Sequence, residues 1–125
     1  MEKVFYILWR DPRVDREEFS RRLREIAMPK LLELGARGLQ MNVCDAAIDA
    51  GKDLVCVRTQ PQVDGFVHLW VDSAIDQFRQ PFDEALREVC WQIAGYLVTE
   101  SWPVVNRRYP TTPGERTFGF SQVVL

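Results

Sequence analysis

The sequence predicts an α+β fold in which a four-stranded antiparallel sheet carries two helices on one face, in the chain order βαββαβ. Two observations predict it. Short runs rich in β-branched and aromatic residues alternate with two longer segments whose apolar residues recur at helical spacing. The chain also has 125 residues, 46% of them hydrophobic, which suits one core and is too few for two.

The first strand and the start of the first helix are clearly marked. Residues 3–10 are mostly β-branched or aromatic and predict a strand, which Pro12 ends. Asp15 is a good N-cap residue, and Glu18 three positions later has the spacing of a capping box. A helix is therefore expected to begin directly after Asp15.

The first helix is expected to be interrupted and then closed by a glycine. Its apolar residues repeat at helical spacing from 19 to 34, and Gly35 suits the C-terminal cap. Pro29 predicts a kink or a restart, because it leaves the carbonyl of Glu25 without its helical partner. The alternating run 38–44 predicts the second strand.

The second half of the chain repeats this order. Residues 65–71 are the clearest strand, and Ser73 is the expected cap of a helix whose apolar stripe runs from 75 to 93. Pro81 is expected to begin a new helical segment. Residues 45–63, between the halves, are compatible with a helical turn, a loop and a short extended piece.

The domain is expected to end shortly after the fourth strand. Gly95 is the expected end of the second helix, and residues 96–102 are the expected strand. The predicted domain therefore spans residues 1–105. Residues 106–125 are expected to form a Pro-containing linker and a C-terminal strand, which is either exchanged with a neighbouring chain or begins a second module.

The two faces of this sheet are expected to differ. Two crossover helices on one side give a ferredoxin-like arrangement, and the aliphatic residues Val67, Leu69 and Val71 are assigned to the helices. The opposite face is then mainly aromatic with few polar groups, which is the usual lining of a small-molecule pocket. The residues predicted to line it are Tyr6, Leu8, Phe66, His68, Trp70, Glu100 and Trp102.

An aromatic sheet face without helices over it predicts a partner. A two-fold homodimer with facing sheets is the most economical cover, and a tandem second module is the alternative. In the enclosed pocket His68 is the expected general acid or base, because an ordinary histidine pKa lies near neutrality. Glu100 is expected to orient His68 or act as a base, and Tyr6 to bind a substrate carbonyl. The alternatives are a packed histidine, a solvated or paired carboxylate and a core tyrosine.

Composition and spacing argue against several other classes of protein. The net charge of −2 gives no sign of a basic face for nucleic acid. No apolar run approaches the ~18 residues of a membrane span, and no signal-peptide pattern opens the chain, so a cytoplasmic protein is expected. Three dispersed cysteines and one histidine suit neither a disulfide framework nor a metal site. We therefore expect no metal and no cofactor.

Five segments, in this order and spacing, carry a resemblance to a known family. They are Arg10-Asp-Pro-Arg13, Asp15-Arg-Glu-Glu-Phe19, Ile26-Ala-Met-Pro29, Asp64-Gly-Phe-Val-His-Leu-Trp-Val-Asp-Ser73 and Tyr96-Leu-Val-Thr-Glu100. Over residues 3–105 the chain resembles the EthD-like family of the dimeric α+β barrel superfamily. The resemblance implies a ferredoxin-like protomer, a homodimer and an apolar barrel pocket for a small apolar or aromatic carbonyl compound.

The resemblance leaves the activity open, because the superfamily includes monooxygenases, isomerases, cyclases and proteins of no known activity. Cofactor-independent proton transfer, cyclisation, isomerisation or oxygenation is one implied function. A non-catalytic ligand-binding or accessory protein of a catabolic pathway is the alternative, favoured because Ala27 stands where many relatives carry a histidine. A structural dimerisation module is the third. Haem is not expected, because only His68 could be its axial ligand.

Overall fold

The computed structural model describes residues 1–54 and 60–100, and these residues have the predicted α+β architecture. Four strands form one antiparallel sheet in the spatial order β2-β3-β1-β4, so that β1 and β3 are central, as in a ferredoxin-like fold. The elements are β1 (Glu2–Trp9), α1 (Arg16–Arg22), a π-helical turn (Leu23–Ala27), α2 (Met28–Glu33), β2 (Arg37–Val43), a 3₁₀ helix (Ala46–Leu54), β3 (Gly65–Val71), α3 (Asp76–Arg87) and β4 (Gln92–Val98).

The first helix begins where its capping residue predicts. The Asp15 carboxylate accepts a hydrogen bond from the backbone N–H of Glu18 at 2.8 Å, which satisfies one of the free donors of the first turn. The carboxylate of Glu18 accepts from Arg21 and Arg22. The N-cap is therefore confirmed, and the Glu18 carboxylate forms ion pairs with arginines on the helix surface.

The irregularity expected at Pro29 takes the form of a π-helical turn directly before it. In this turn, Leu23–Ala27, the N–H of Met28 donates to the carbonyl of Leu23 instead of to the residue four positions back. A proline cannot donate to the carbonyl of Glu25, and a wider turn moves the backbone away from the clash that the ring would cause. The chain continues from there as α2.

Gly35 ends this helical segment, as predicted. Its φ of +93° lies in the left-handed region that favours glycine. The N–H of Gly35 donates to Leu32, and the N–H of Ala36 donates to Leu31, both at 3.0 Å. This is the paired bonding of a Schellman cap, which satisfies two otherwise free carbonyls.

The second helix starts and runs differently from the prediction. It begins at Asp76 after Ile75, and the Ser73 hydroxyl accepts only the N–H of Ile75, at 3.4 Å, so Ser73 is not its N-cap. Pro81 lies inside α3 and does not begin a new segment. The helix tolerates it because the carbonyl left unpaired belongs to Gln77, which is exposed in the first turn and accessible to water.

The fourth strand lies four residues earlier than predicted. The helix ends at Arg87, and β4 spans Gln92–Val98, so that Gly95 is a strand residue opposite Tyr6 and not a helix cap. A Cβ at Gly95 would stand 3.0 Å from Cε1 of Tyr6. A glycine is therefore needed in this strand because the tyrosine ring lies across its backbone.

The core lies between the sheet and the helical segments. Val67, Leu69 and Val71 of β3 face the helices and are at most 3% exposed, as predicted. They pack with buried residues of α1, the π-helical turn, α2 and α3, which include Phe19, Leu23, Leu31, Phe82 and Leu86. Each such side chain contributes about 1.5–3 kcal/mol when it leaves water, so this layer is the main stabilising contact of the described residues.

Candidate functional site

The pairing of the strands defines the sheet face turned away from the helices, which we call the outer face. Cross-strand neighbours project to the same side, so each row of paired residues contributes to it. The three rows are Trp70, Lys3 and Val98; Gln40, His68, Phe5 and Tyr96; and Asn42, Phe66, Ile7 and Ala94. Aromatic and apolar side chains dominate the two central strands, and His68 lies in the middle row.

The prediction that Tyr6 and Leu8 line this face is wrong. Tyr6 pairs with Val67 and Leu8 with Gly65, and both side chains are in the core, 1% and 0% exposed. Because side chains alternate along a strand, a shift of one residue moves all of them to the other face. The residues that β1 contributes to the outer face are Lys3, Phe5 and Ile7.

The centre of the outer face is not bare. Phe5 is only 3% exposed and Ile7 8%, whereas Phe66, His68 and Trp70 are half-buried. The ring of Phe5 stacks on Phe66 at a centroid distance of 5.5 Å and on His68 at 6.5 Å. The aromatic surface that was expected to be uncovered is therefore limited to the side chains around Phe5.

His68 combines a buried nitrogen with an apolar setting. Its Nδ1 is buried and has no hydrogen-bond partner in the described ranges 1–54 and 60–100. Burial lowers the pKa of the imidazole, and the ammonium of Lys3 lowers it further, against a smaller opposite effect of Glu100. The ring is therefore neutral at pH 7. A buried polar group without a partner costs about 1–3 kcal/mol, which makes His68 the unusual group of this face.

Glu100 lies near His68 but pairs with another residue. Its carboxylate accepts a hydrogen bond from Nζ of Lys3, and this ammonium lies 5.5 Å from the ring centroid of Trp70. The structure thus brings together His68, Trp70 and Glu100 of the predicted site, with Phe66 in the adjacent row. Trp102, also predicted, lies outside the described residues.

An open depression borders this group at the end of the sheet. It has a volume of about 330 Å³ and is lined by Met1, Glu2, Lys3, Trp70, Leu97, Val98, Thr99 and Glu100. This volume is at the lower end of the range for small-molecule sites. Its lining mixes charged, aromatic and aliphatic side chains, unlike the apolar pocket that the sequence predicts.

Tyr6 has a structural role in the core. Its hydroxyl donates to Oδ1 of Asp83 at 2.7 Å, and Oδ2 of Asp83 accepts from Nε of Arg79 at 3.3 Å. Burial, reinforced by the hydrogen bond and charge of Asp83, raises the pKa of Tyr6 far above its ordinary value. The phenol therefore stays protonated and ties β1 to α3.

Sequence reasoning missed Tyr96 as a residue of the outer face. It pairs with Phe5 in the middle row and is 43% exposed. The signal was present in the sequence, because side chains alternate along a strand and Tyr96 therefore shares the face predicted for Glu100 and Trp102.

Metal and thiol chemistry find no support in the described part of the chain. It contains no group of three or more histidine, cysteine, aspartate or glutamate side chains placed to hold a metal ion. Burial raises the pKa of Cys44, and that of Cys90 to about 12, so both thiols are protonated at pH 7. None of the described helices is long and apolar enough to cross a membrane.

A scan against protein-family models found no match, and a search of curated proteins found no relative. The likeness to the EthD-like family therefore stays a prediction from the sequence.

Proposed function

We propose that two copies of the chain pair through their outer faces and enclose a chamber that binds a small apolar or aromatic carbonyl compound. The observation that carries the proposal is the buried Nδ1 of His68, which has no partner among the described residues, beside a Phe5 ring that also stacks on Phe66. Aromatic side chains supply stacking area, and one polar group supplies orientation, which is the usual composition of a small-molecule site.

His68 supplies the polar contact to the ligand in this proposal. A neutral imidazole has one N–H donor and one acceptor, so it can donate to a carbonyl oxygen. Because the residue as a whole is only half-buried, rotation about its Cβ–Cγ bond can bring Nδ1 to the open side of the ring. The ligand oxygen then satisfies a nitrogen that is unpaired within residues 1–54 and 60–100.

Binding without turnover is the function that we propose first. Two residues that were expected to assist catalysis make hydrogen bonds to other residues. Tyr6 donates to Asp83 in the core, and Glu100 accepts from Lys3. Proton transfer by His68 is the second candidate. An imidazole that is neutral at pH 7 can accept a proton, and its lowered pKa makes the imidazolium that forms a stronger acid for returning that proton.

The test uses the fact that His68 is the only histidine of the chain. With ¹⁵N-labelled histidine, the two ring nitrogens are followed by NMR while acetophenone or ethylbenzene, which lacks the carbonyl, is added. We expect acetophenone to shift the ring signals and ethylbenzene to leave them unchanged. Equal responses to the two compounds, or none, would contradict the proposal.

Two variants separate binding from turnover. We expect His68→Phe to weaken acetophenone binding about tenfold, the usual effect of losing one hydrogen bond, whereas Gln40→Ala, in the same row of the outer face, should keep it. Conversion of a carbonyl compound, followed by mass spectrometry and lost in His68→Phe, would favour the second candidate. Binding without conversion supports the first.

A further inference from the structure

Lys3 holds its ammonium group in a site made by an aromatic ring and a carboxylate. Its Nζ lies 5.5 Å from the ring centroid of Trp70, within the ~6 Å of a cation–π contact, and donates to the carboxylate of Glu100. The Lys3 and Glu100 side chains are only 14% and 23% exposed, so the contact is partly withdrawn from water. An aromatic face beside a carboxylate is the combination by which proteins recognise organic ammonium groups.

The indole of this site is held in position by the backbone of β2. Gly38 has a φ of +55°, and it lies where the register between β2 and β3 shifts, between Arg37 and Gln40. A Cβ at Gly38 would stand 3.0 Å from Cδ1 of Trp70. The irregular glycine therefore lets the indole lie close against β2, and the aromatic wall of the site is formed before any ligand arrives.

The site opens into the depression at the end of the sheet. Glu2 also lines this depression, but its carboxylate accepts from the N–H of Ala74 at 2.6 Å, so Glu100 supplies the carboxylate of the site. The four-carbon stem of Lys3 is flexible, so its ammonium can withdraw while the indole stays in place. A compound that enters the depression then meets the ring and the carboxylate together.

We propose that Trp70 and Glu100 form a binding site for a small organic ammonium compound, which the ammonium of Lys3 occupies in the free chain. The ligand competes with Lys3 for the ring face and for the carboxylate. This site needs neither a dimer nor a carbonyl ligand, so it can be tested separately from the function proposed for His68.

The test uses choline as the probe and 3,3-dimethyl-1-butanol, which has the same shape without the charge, as its control. Binding is followed by NMR at the indole N–H of Trp70, one of four tryptophans, assigned with Trp70→Phe. We expect Lys3→Met to bind choline roughly tenfold more tightly than the native chain, and Glu100→Gln added to Lys3→Met to reverse that gain.

A matched variant controls for the loss of a lysine charge alone. Lys30 pairs with Glu88 between the helices, and we expect Lys30→Met to leave choline binding unchanged. Circular dichroism checks that each variant is folded, and Lys3→Gln replaces Lys3→Met if the latter is not. Equal choline affinity in the native chain and the Lys3 variant would overturn the proposal, as would equal binding of choline and 3,3-dimethyl-1-butanol by that variant.

Discussion

Tyr6 and His68 lie on neighbouring central strands but face opposite sides of the sheet. Tyr6 projects into the core, where its hydroxyl donates a hydrogen bond to Asp83, and His68 projects to the outer face with Nδ1 unpaired among the described side chains. At the residue scale, the hydroxyl of Tyr6 has a hydrogen-bond partner in the described fold, whereas Nδ1 of His68 has none there. The first is therefore expected to govern stability and the second binding.

Tyr6→Phe tests the structural role of the first group. The change leaves Oδ1 of Asp83, whose side chain is only 15% exposed, without its donor. A hydrogen bond to a charged group contributes about 1.5–3 kcal/mol, so we expect the free energy of unfolding, measured with urea, to fall by about 2 kcal/mol. Tyr96→Phe, on the outer face, should change it by less than about 0.5 kcal/mol. Equal effects would show that the bond to Asp83 does not stabilise the fold.

The lowered pKa of His68 makes stability depend on pH. In the unfolded chain the imidazole takes up a proton near pH 6.5, whereas in the folded chain burial and Lys3 delay this to lower pH. Between these two values the unfolded state binds more protons, so acidification favours unfolding. We expect the free energy of unfolding to decrease from pH 7 to pH 5, and NMR of the single histidine to give a pKa below 6.5.

His68→Phe is the control for this dependence. The carboxyl groups of Asp11 and Glu18, whose pKa values Arg13 and Arg21 lower to about 2, destabilise the fold only at more acidic pH, where the unfolded carboxyls begin to protonate. Between pH 5 and 6.5 the variant should therefore lose most of the slope. If the free energy of unfolding still falls with pH in the variant, groups other than His68 cause the pH dependence.

At the scale of elements, local chemistry predicts boundaries well and long apolar repeats predict them poorly. Asp15 and Gly35 mark ends that depend on a side-chain cap and on a left-handed backbone, and the structure has both. The stripe up to residue 93 fits a helix in spacing, but the chain leaves the helix at Arg87. Of the last stripe residues, Val89 lies in the turn after the helix and Ile93 lies in β4 opposite Leu8, a pairing that a single sequence does not reveal.

The two predicted N-cap residues, Asp15 and Ser73, can be compared within one molecule. Asp15 accepts the N–H of Glu18, whereas Ser73 lies before the helix and accepts only a long bond from Ile75. We expect Asp15→Ala to lower the free energy of unfolding by about 1 kcal/mol. Ser73→Ala should change it by less than about 0.5 kcal/mol. Urea unfolding measures both, and a larger effect at Ser73 would contradict the observed start of α3.

At the scale of the whole molecule, the candidate site was predicted in part. The choice of the helix-facing side of β3 was right because Val67, Leu69 and Val71 are plain aliphatics. For β1 both alternating sets of residues are apolar, so composition could not decide between them, and only the register with β3 places Phe5 rather than Tyr6 beside His68. Glu100 was predicted to reach the face as a residue of the fourth strand 96–102, whereas β4 ends before it, at Val98.

The proposed pairing of two outer faces is tested at adjacent residues of β4. Tyr96 projects to the outer face and Leu97 to the opposite side, and they are 43% and 65% exposed. A two-fold axis through the outer faces brings both copies of Tyr96 into the contact, so Tyr96→Asp places two desolvated carboxylates there. By light scattering we expect the native chain and Leu97→Asp to have twice the protomer mass of 14.6 kDa, and Tyr96→Asp to have 14.6 kDa. Dissociation by Leu97→Asp alone would locate the contact on the helix side of the sheet, and a monomeric native chain would exclude the dimer.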